Sequence, residues 1–254
     1  MIFAIDVGNT NIVIGCCKDN DILFRERVST NSTATALEYA AIFKTAMEMH
    51  CISAEDITGC IISSVVPNVT KNVKAAAEKL TKTSALVVGP GIKTGLSIKI
   101  DNPAQLGSDL VVDAVAGIEY YTAPMVIIDM GTATTISVIS ANRDYLGGMI
   151  LPGVSVSHES LISRTSQLRK VDLEPPKKLI GTETAECLKS GIIYGNAGAL
   201  DGMIDRITAE LGECTVIATG GLSGVITPYC RNNIILDDDL LLKGLKVIYD
   251  KNRK

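Results

Sequence analysis

Asp6 is followed by Val7, Gly8, Asn9, Thr10 and Asn11, and the group stands between two apolar runs at 1–5 and 12–15. Two short strands joined by a tight polar turn would place a carboxylate at the end of the first strand. Gly8 lets backbone approach a ligand closely. Successive N–H groups in such a turn form a concavity suited to phosphate, with the side chains of Asn9, Thr10 and Asn11 as further donors. A carboxylate repels phosphate, but it fits if a divalent cation lies between the two, because hard cations take such oxygens. Gly-Asn is also ordinary hairpin chemistry, so the turn alone supports a phosphate site and a plain hairpin equally.

The same grammar returns at 126–135, where an apolar run leads to Asp129, Met130, Gly131, Thr132, Ala133, Thr134 and Thr135. Asp6 and Asp129 are 123 residues apart, close to half of the 254-residue chain. A duplicated domain facing itself across a cleft would bring both turns to one nucleotide. A third glycine-rich turn, Thr219-Gly220-Gly221, follows the apolar run 214–218.

The elements that must position these turns follow from pattern. A turn at Asp19-Asn20-Asp21 precedes a third strand at 22–28, and apolar residues at helical spacing predict a helix over 35–50. The run 58–66 suits a buried parallel strand. Pro67 ends it, with Asn68 or Thr70 as cap of a helix to Leu80, and 84–88 is a further strand. Residues 89–95 contain Gly, Lys and Thr but match neither GxxxxGK[ST] nor GxGxxG, so they read as a mobile connection. Asn102 and Pro103 start a helix running over 104–121 with Gly107 inside it. Asp109, set among apolar residues, is expected near a cleft. Asp113, one turn on, is expected to face solvent.

The second half repeats three strands, with a turn at Asn142-Arg143-Asp144, and then a polar helix with His158 and Glu159. A lone helical histidine is usually structural, and the absence of GxSxG disfavours an α/β-hydrolase. A long helical region from Gly181-Thr182-Glu183-Thr184 to Gly212 contains Gly191, Gly195 and Gly198, which permit close helix contact, including between subunits. A last helix spans 240–249.

Composition is that of a packed protein, with 46% hydrophobic and 20% charged residues. A net charge of −4 offers no general attraction for nucleic acid or an anionic membrane. Seven cysteines, an odd number with no CxxC, read as reduced, buried thiols. With no signal-peptide pattern and no membrane-spanning run, a cytoplasmic protein is expected.

With Asp6–Asn11, Asn102-Pro103, Gly107-Ser108-Asp109, Asp129–Thr135 and Gly181–Thr184 in order, the chain resembles the type III pantothenate kinases nearly end to end. The resemblance implies an α/β fold of two duplicated ribonuclease H-like domains, 1–122 and 123–254. Each has a mixed sheet flanked by helices, in the actin-like ATPase architecture of acetate kinase, sugar kinases and heat-shock ATPases. It implies ATP-dependent phosphorylation of pantothenate to 4′-phosphopantothenate, the first step of coenzyme A synthesis. Mg2+, a monovalent cation (K+ or NH4+) and a homodimer with active sites near the subunit interface come with it. Carried over by position, Asp6, Val7, Gly8, Asn9, Thr10, Asn11, Ile12 and Val13 would line the ATP phosphates, with Asp6 organising magnesium. Thr132 would touch ATP and Asp129 would hold the monovalent cation. Asp109 would be the general base. Gly107, Ser108, Asp109 and Leu110 would border pantothenate, and Thr184 of the neighbouring subunit would hydrogen-bond it.

One position departs from the family. Gly-x-Asp is usually followed by an arginine that clamps the pantothenate carboxylate, and Leu110 stands there instead. Such a bond is worth roughly 1.5–3 kcal/mol, so its loss weakens binding about ten- to a hundredfold unless Lys93, Lys99 or Arg164 substitutes. Two alternatives share the fold: a kinase of the superfamily acting on another small hydroxyl substrate, and a non-catalytic regulator related to the Bvg accessory factor. The intact Asp6, Asp109, Asp129 and Thr132 argue against the regulator.

Overall fold

Strand alternation builds the first unit around its sheet. The computed structural model describes residues 1–19 and 21–253; of the first expected turn, Asn20 lies outside the described residues. Strands β1 (Ile2–Val7), β2 (Asn11–Lys18) and β3 (Asp21–Ser29) form an antiparallel meander. Helix α1 (Ala36–Met49), β4 (Gly59–Ser64), α2 (Pro67–Thr81) and β5 (Ala85–Val87) add two parallel strands, giving the order β3-β2-β1-β4-β5. Phe3, Ile5 and Val7 pack with Tyr39 and Phe43 of α1 and Val73 of α2. Ile2 and Ala4 point the other way, into a core with Val112, Val115, Leu242, Leu245 and Ile248. Each fully buried side chain of this size contributes roughly 1.5–3 kcal/mol. With period two, Asp6 falls on the face of Ile2 and Ala4.

The remaining elements are β6 (Ser97–Ile98), α3 (Ser108–Tyr120), β7 (Met125–Met130), β8 (Ala133–Ile139), β9 (Asp144–Pro152), α4 (Val154–Ser163), α5 (Thr184–Leu211), β10 (Thr215–Thr219), α6 (Ser223–Ile226), β11 (Ile235–Leu236) and α7 (Leu240–Asn252). The second sheet runs β11-β10-β7-β8-β9-β6. Without its edge strand β6, it repeats the first sheet strand for strand. Its core joins Val126, Ile128 and Ile136 to Val154 of α4 and Ile193, Ala197, Leu200 and Ile204 of α5.

Two compact units result: Met1–Leu96 with Asp101–Tyr120 and the chain from Asp239 on, and Ser97–Ile100 with Tyr121–Asp238. The division departs from the expected 122/123 at the chain's end, because α7 packs on β1, β2, β4 and α3 of the first unit, and at 97–100, because β6 pairs with β9 of the second. Gly244 makes the fit, since a Cβ there would lie 2.2 Å from the Val112 carbonyl oxygen.

Local chemistry explains the boundaries. Thr35 and Glu38 form a capping box, with Thr35 N–H donating to Glu38 Oε2 at 2.7 Å and Glu38 N–H to Thr35 Oγ1 at 3.4 Å. Neither Asn68 nor Thr70 caps α2. Pro67 takes its first position, and Thr70 instead donates to the Val66 carbonyl at 2.9 Å. The expected helix over 104–121 is broken: Asn102 caps a 3₁₀ turn at Pro103–Gln105, the chain extends at Leu106, and α3 begins only at Ser108. Gly107 therefore precedes the helix. Asp113 is 1% exposed, contrary to expectation, because the middle of α3 is buried on all sides from Val112 to Gly117. Residues 89–95 are pinned, since Asn252 of α7 exchanges hydrogen bonds with the Lys93 backbone at 3.0 and 2.8 Å. Helix α5 runs unbroken through Gly191, Gly195 and Gly198.

All seven cysteines are free thiols. Burial pushes those of Cys16, Cys17 and Cys60 up to about 12, while Cys51 and Cys187 are exposed, against the expectation of burial.

Candidate active site

The carboxyl end of β1 carries Asp6, 8% exposed, paired with Val13 across the hairpin and with Ser63 in parallel register. Between β1 and β2 the turn is held by Gly8 N–H donating to Asn11 O at 3.0 Å. Thr30 reinforces it, its hydroxyl donating to Gly8 O at 2.7 Å and its N–H to Thr10 O at 2.9 Å. Asn9 and Thr10 are exposed, Gly8, Asn11 and Val13 partly so. Val7 and Ile12 have their side chains in the core, which leaves only their backbone to face a ligand. Open α/β sheets bind ligands beyond the carboxyl ends of their strands, where this turn stands.

Asp109 lies in the first turn of α3, the helix that covers the same sheet face as Asp6. Its Oδ1 accepts the Leu110 N–H at 2.9 Å. A Cβ at Gly107 would come within 2.3 Å of that oxygen, so the residue two before the carboxylate has to be glycine for this rotamer to exist. Burial holds the Asp109 carboxyl above the usual carboxylate range, against the pull of the Leu110 and Asp109 N–H groups. A carboxylate so placed is a stronger base than one in water. Ser108 and Leu110 flank it, both partly buried.

In the second unit Asp129 ends β7, paired with Thr135 on β8 and Thr219 on β10. The structure thus brings the second and third glycine-rich turns together. Gly220 has φ +93°, and a Cβ there would lie 2.4 Å from Asp129 Oδ1. Gly131 N–H donates to Ala133 O at 3.0 Å, leaving Thr132 exposed at the turn. The Thr134 and Thr135 hydroxyls are buried with no hydrogen-bond partner among the described residues.

Thr184 is exposed at the start of α5 and lines a cavity of about 470 Å³ with Val154, His158, Leu161, Cys187 and Gly191. His158 is 3% exposed, and its Nε2 has no hydrogen-bond partner among the described residues. Its helical context gave no functional signal; an orphaned ring nitrogen on a cavity wall is such a signal, visible only in three dimensions. Of the cations considered against Leu110, Lys99 sits 4.0 Å from Asp144 and Arg164 is exposed at the end of α4.

A duplicated mixed sheet with an Asp-x-Gly hairpin at the matching position of each copy defines an actin-like ATPase fold. The comparisons agree. An activator of 2-hydroxyisocaproyl-CoA dehydratase from Clostridium difficile, solved with bound ADPNP, shares the fold with TM-score 0.56 at 13% identity, covering 99% of this chain and 94% of its own. A Campylobacter jejuni chain assigned to a Baf family of transcriptional activators superposes with TM-score 0.58 at 19% identity, with 98% of each covered. The family model for type III pantothenate kinase matches residues 2–206. A curated type III pantothenate kinase from Exiguobacterium sp. is 41% identical over 254 residues, the whole of both chains. The chain belongs to the type III pantothenate kinase family, whose reaction is ATP-dependent phosphorylation of pantothenate in coenzyme A synthesis.

Proposed function

We propose that the work of this reaction divides between two carboxylates of the first unit. Asp6 and its turn, Val7 to Val13, serve the ATP phosphates, and Asp109 is the general base. The observation that carries this reading is that both sit on one sheet face at its carboxyl edge, Asp6 beside a donor-rich turn and Asp109 half-buried with its carboxyl raised. Phosphoryl transfer asks a protein mainly for positioning and charge neutralisation. The pantothenate hydroxyl oxygen attacks the terminal phosphorus, the bond to the bridging oxygen breaks to release ADP, and the proton passes to the Asp109 carboxylate. Gly107 and Leu110 border the substrate, with Thr184 of the neighbouring subunit donating to it. The apolar Leu110 leaves the pantothenate carboxylate to another cation, and of those considered Lys93 is the one in the same unit.

Among the described residues no three His, Cys, Asp or Glu side chains cluster as a metal cage. Mg2+ characteristically takes one or two carboxylates plus phosphate oxygens and water, which Asp6 and a bound triphosphate supply. When bound there it neutralises charge on the transferring group. Asp6→Asn is therefore expected to raise the Mg2+ needed for half-maximal rate; an unchanged Mg2+ dependence contradicts the assignment. In the second unit Thr132 contacts ATP, and Asp129 holds K+ or NH4+ with the orphaned Thr135 hydroxyl opposite it as a second hard oxygen.

We also propose a cytoplasmic homodimer. Gly191, Gly195 and Gly198 meet nothing within 4 Å where a Cβ would stand, and each costs α5 about 1 kcal/mol relative to alanine. Ile150 and Ile180 are 77% and 78% exposed. A second copy covering these positions offsets both costs. Light scattering on a sizing column is expected to give twice 26.9 kDa; a 26.9 kDa particle with full activity contradicts it.

A further inference from the structure

Ser108, expected to border substrate, has its hydroxyl fully engaged elsewhere. Ser108 Oγ donates to the Ser64 carbonyl at 3.0 Å, accepts the Ser64 N–H at 3.1 Å, and lies 3.0 Å from Ser63 Oγ. A hydroxyl has one proton and two acceptor positions. With the proton on Ser64 O, the contact to Ser63 is a donation from Ser63, and nothing remains for a substrate. Ser63 is fully buried. In the parallel register Ser63 stands beside Asp6, and Ser64 beside Val7. The first residue of α3 is thus tied to the strand end next to Asp6, and the following residue is Asp109.

We infer that Ser108 is a positioning residue for phosphoryl transfer: through Ser63 and Ser64 it locks the first turn of α3, and so Asp109, at a fixed separation from the Asp6 strand. Without the lock, α3 still packs along its buried middle, but its first turn loses its anchor. A misplacement of about 1 Å costs up to roughly a hundredfold in rate. The inference rests on the reading of Asp109 as general base.

The test is a double-mutant cycle with Ser108→Ala, Asp109→Asn and their combination, assayed for ADP release with pantothenate. Ser108→Ala is expected to lower kcat about ten- to a hundredfold with the pantothenate KM little changed. In the Asp109→Asn background the same change should have almost no effect, and Ser108→Thr, which keeps the hydroxyl, should restore most of the rate. Ser63→Ala removes one of the three bonds and is expected to give a smaller loss of the same kind, so the cycle stands on it if Ser108→Ala does not fold. A raised KM at unchanged kcat, or a Ser108→Ala loss undiminished without Asp109, overturns the inference. Wild-type kcat in Ser108→Ala beside an inactive Asp109→Asn overturns it and leaves the base intact. Wild-type kcat in Asp109→Asn removes the base and the positioning role together.

Discussion

Asp109→Asn is expected to lower kcat for pantothenate phosphorylation by about 10²–10⁴, the usual worth of a general base. Asparagine keeps the shape and can still accept the Leu110 N–H, so a coupled assay for ADP reads the loss of proton acceptance alone. A loss under about threefold in a folded variant removes Asp109 from the role. The stability of the variant carries a second signature. Burial raises the Asp109 carboxyl above its usual range, so the fold prefers the protonated form. That contribution is fully present below the unfolded carboxylate pKa of about 3.9 and is lost as pH rises through the higher folded value. At neutral pH the ionised group therefore costs stability, and Asp109→Asn should melt at an equal or higher temperature than the parent. The difference should vanish in acid. For the same reason the acid limb of kcat/KM should lie above the ordinary carboxylate range, with rate falling as pH drops through it.

Turnover in sodium alone is expected to fall below about a hundredth of the rate in potassium or ammonium, the scale of losing one fixed electrostatic stabiliser. Asp129, the Thr135 hydroxyl across the hairpin and the Thr219 strand end beside it form an oxygen-rich corner. Gly220 lets the backbone close over it with no side chain intervening. Asp129→Asn should abolish the potassium response while the protein stays folded. Equal rates in sodium, or a potassium response that survives Asp129→Asn, contradict the assignment.

Much of this architecture was legible because it is written twice. Asp-x-Gly after an apolar run, recurring 123 residues on, corresponds to two sheets with one strand order. What stayed hidden depends on partners distant in sequence. The spacing of α7 shows an apolar face but not that it packs on β1 and α3. Asp113 reads as solvated only while the helices covering α3 are unknown. The break before α3 needs the Asp109 rotamer to explain Gly107, and the engagement of Ser108 needs Ser63, 45 residues earlier. Residues 89–95 lack a motif but are held by Lys251 and Asn252 near the far end of the chain. At Asp113, Ser108, α7 and 89–95 a contact distant in sequence overrides the local pattern, whereas at Gly107 the partner is Asp109, two residues on.

Leu110 makes substrate identity the point to probe. Phosphorus NMR of the wild-type protein with Mg2+, K+ and ATP, supplied in turn with pantothenate, acetate and glucose, reads the product directly. Equimolar ADP and a phosphomonoester signal with pantothenate alone are expected. ATP left intact with pantothenate, or a phosphorylated product from acetate or glucose instead, would contradict the assignment of these residues to a pantothenate kinase.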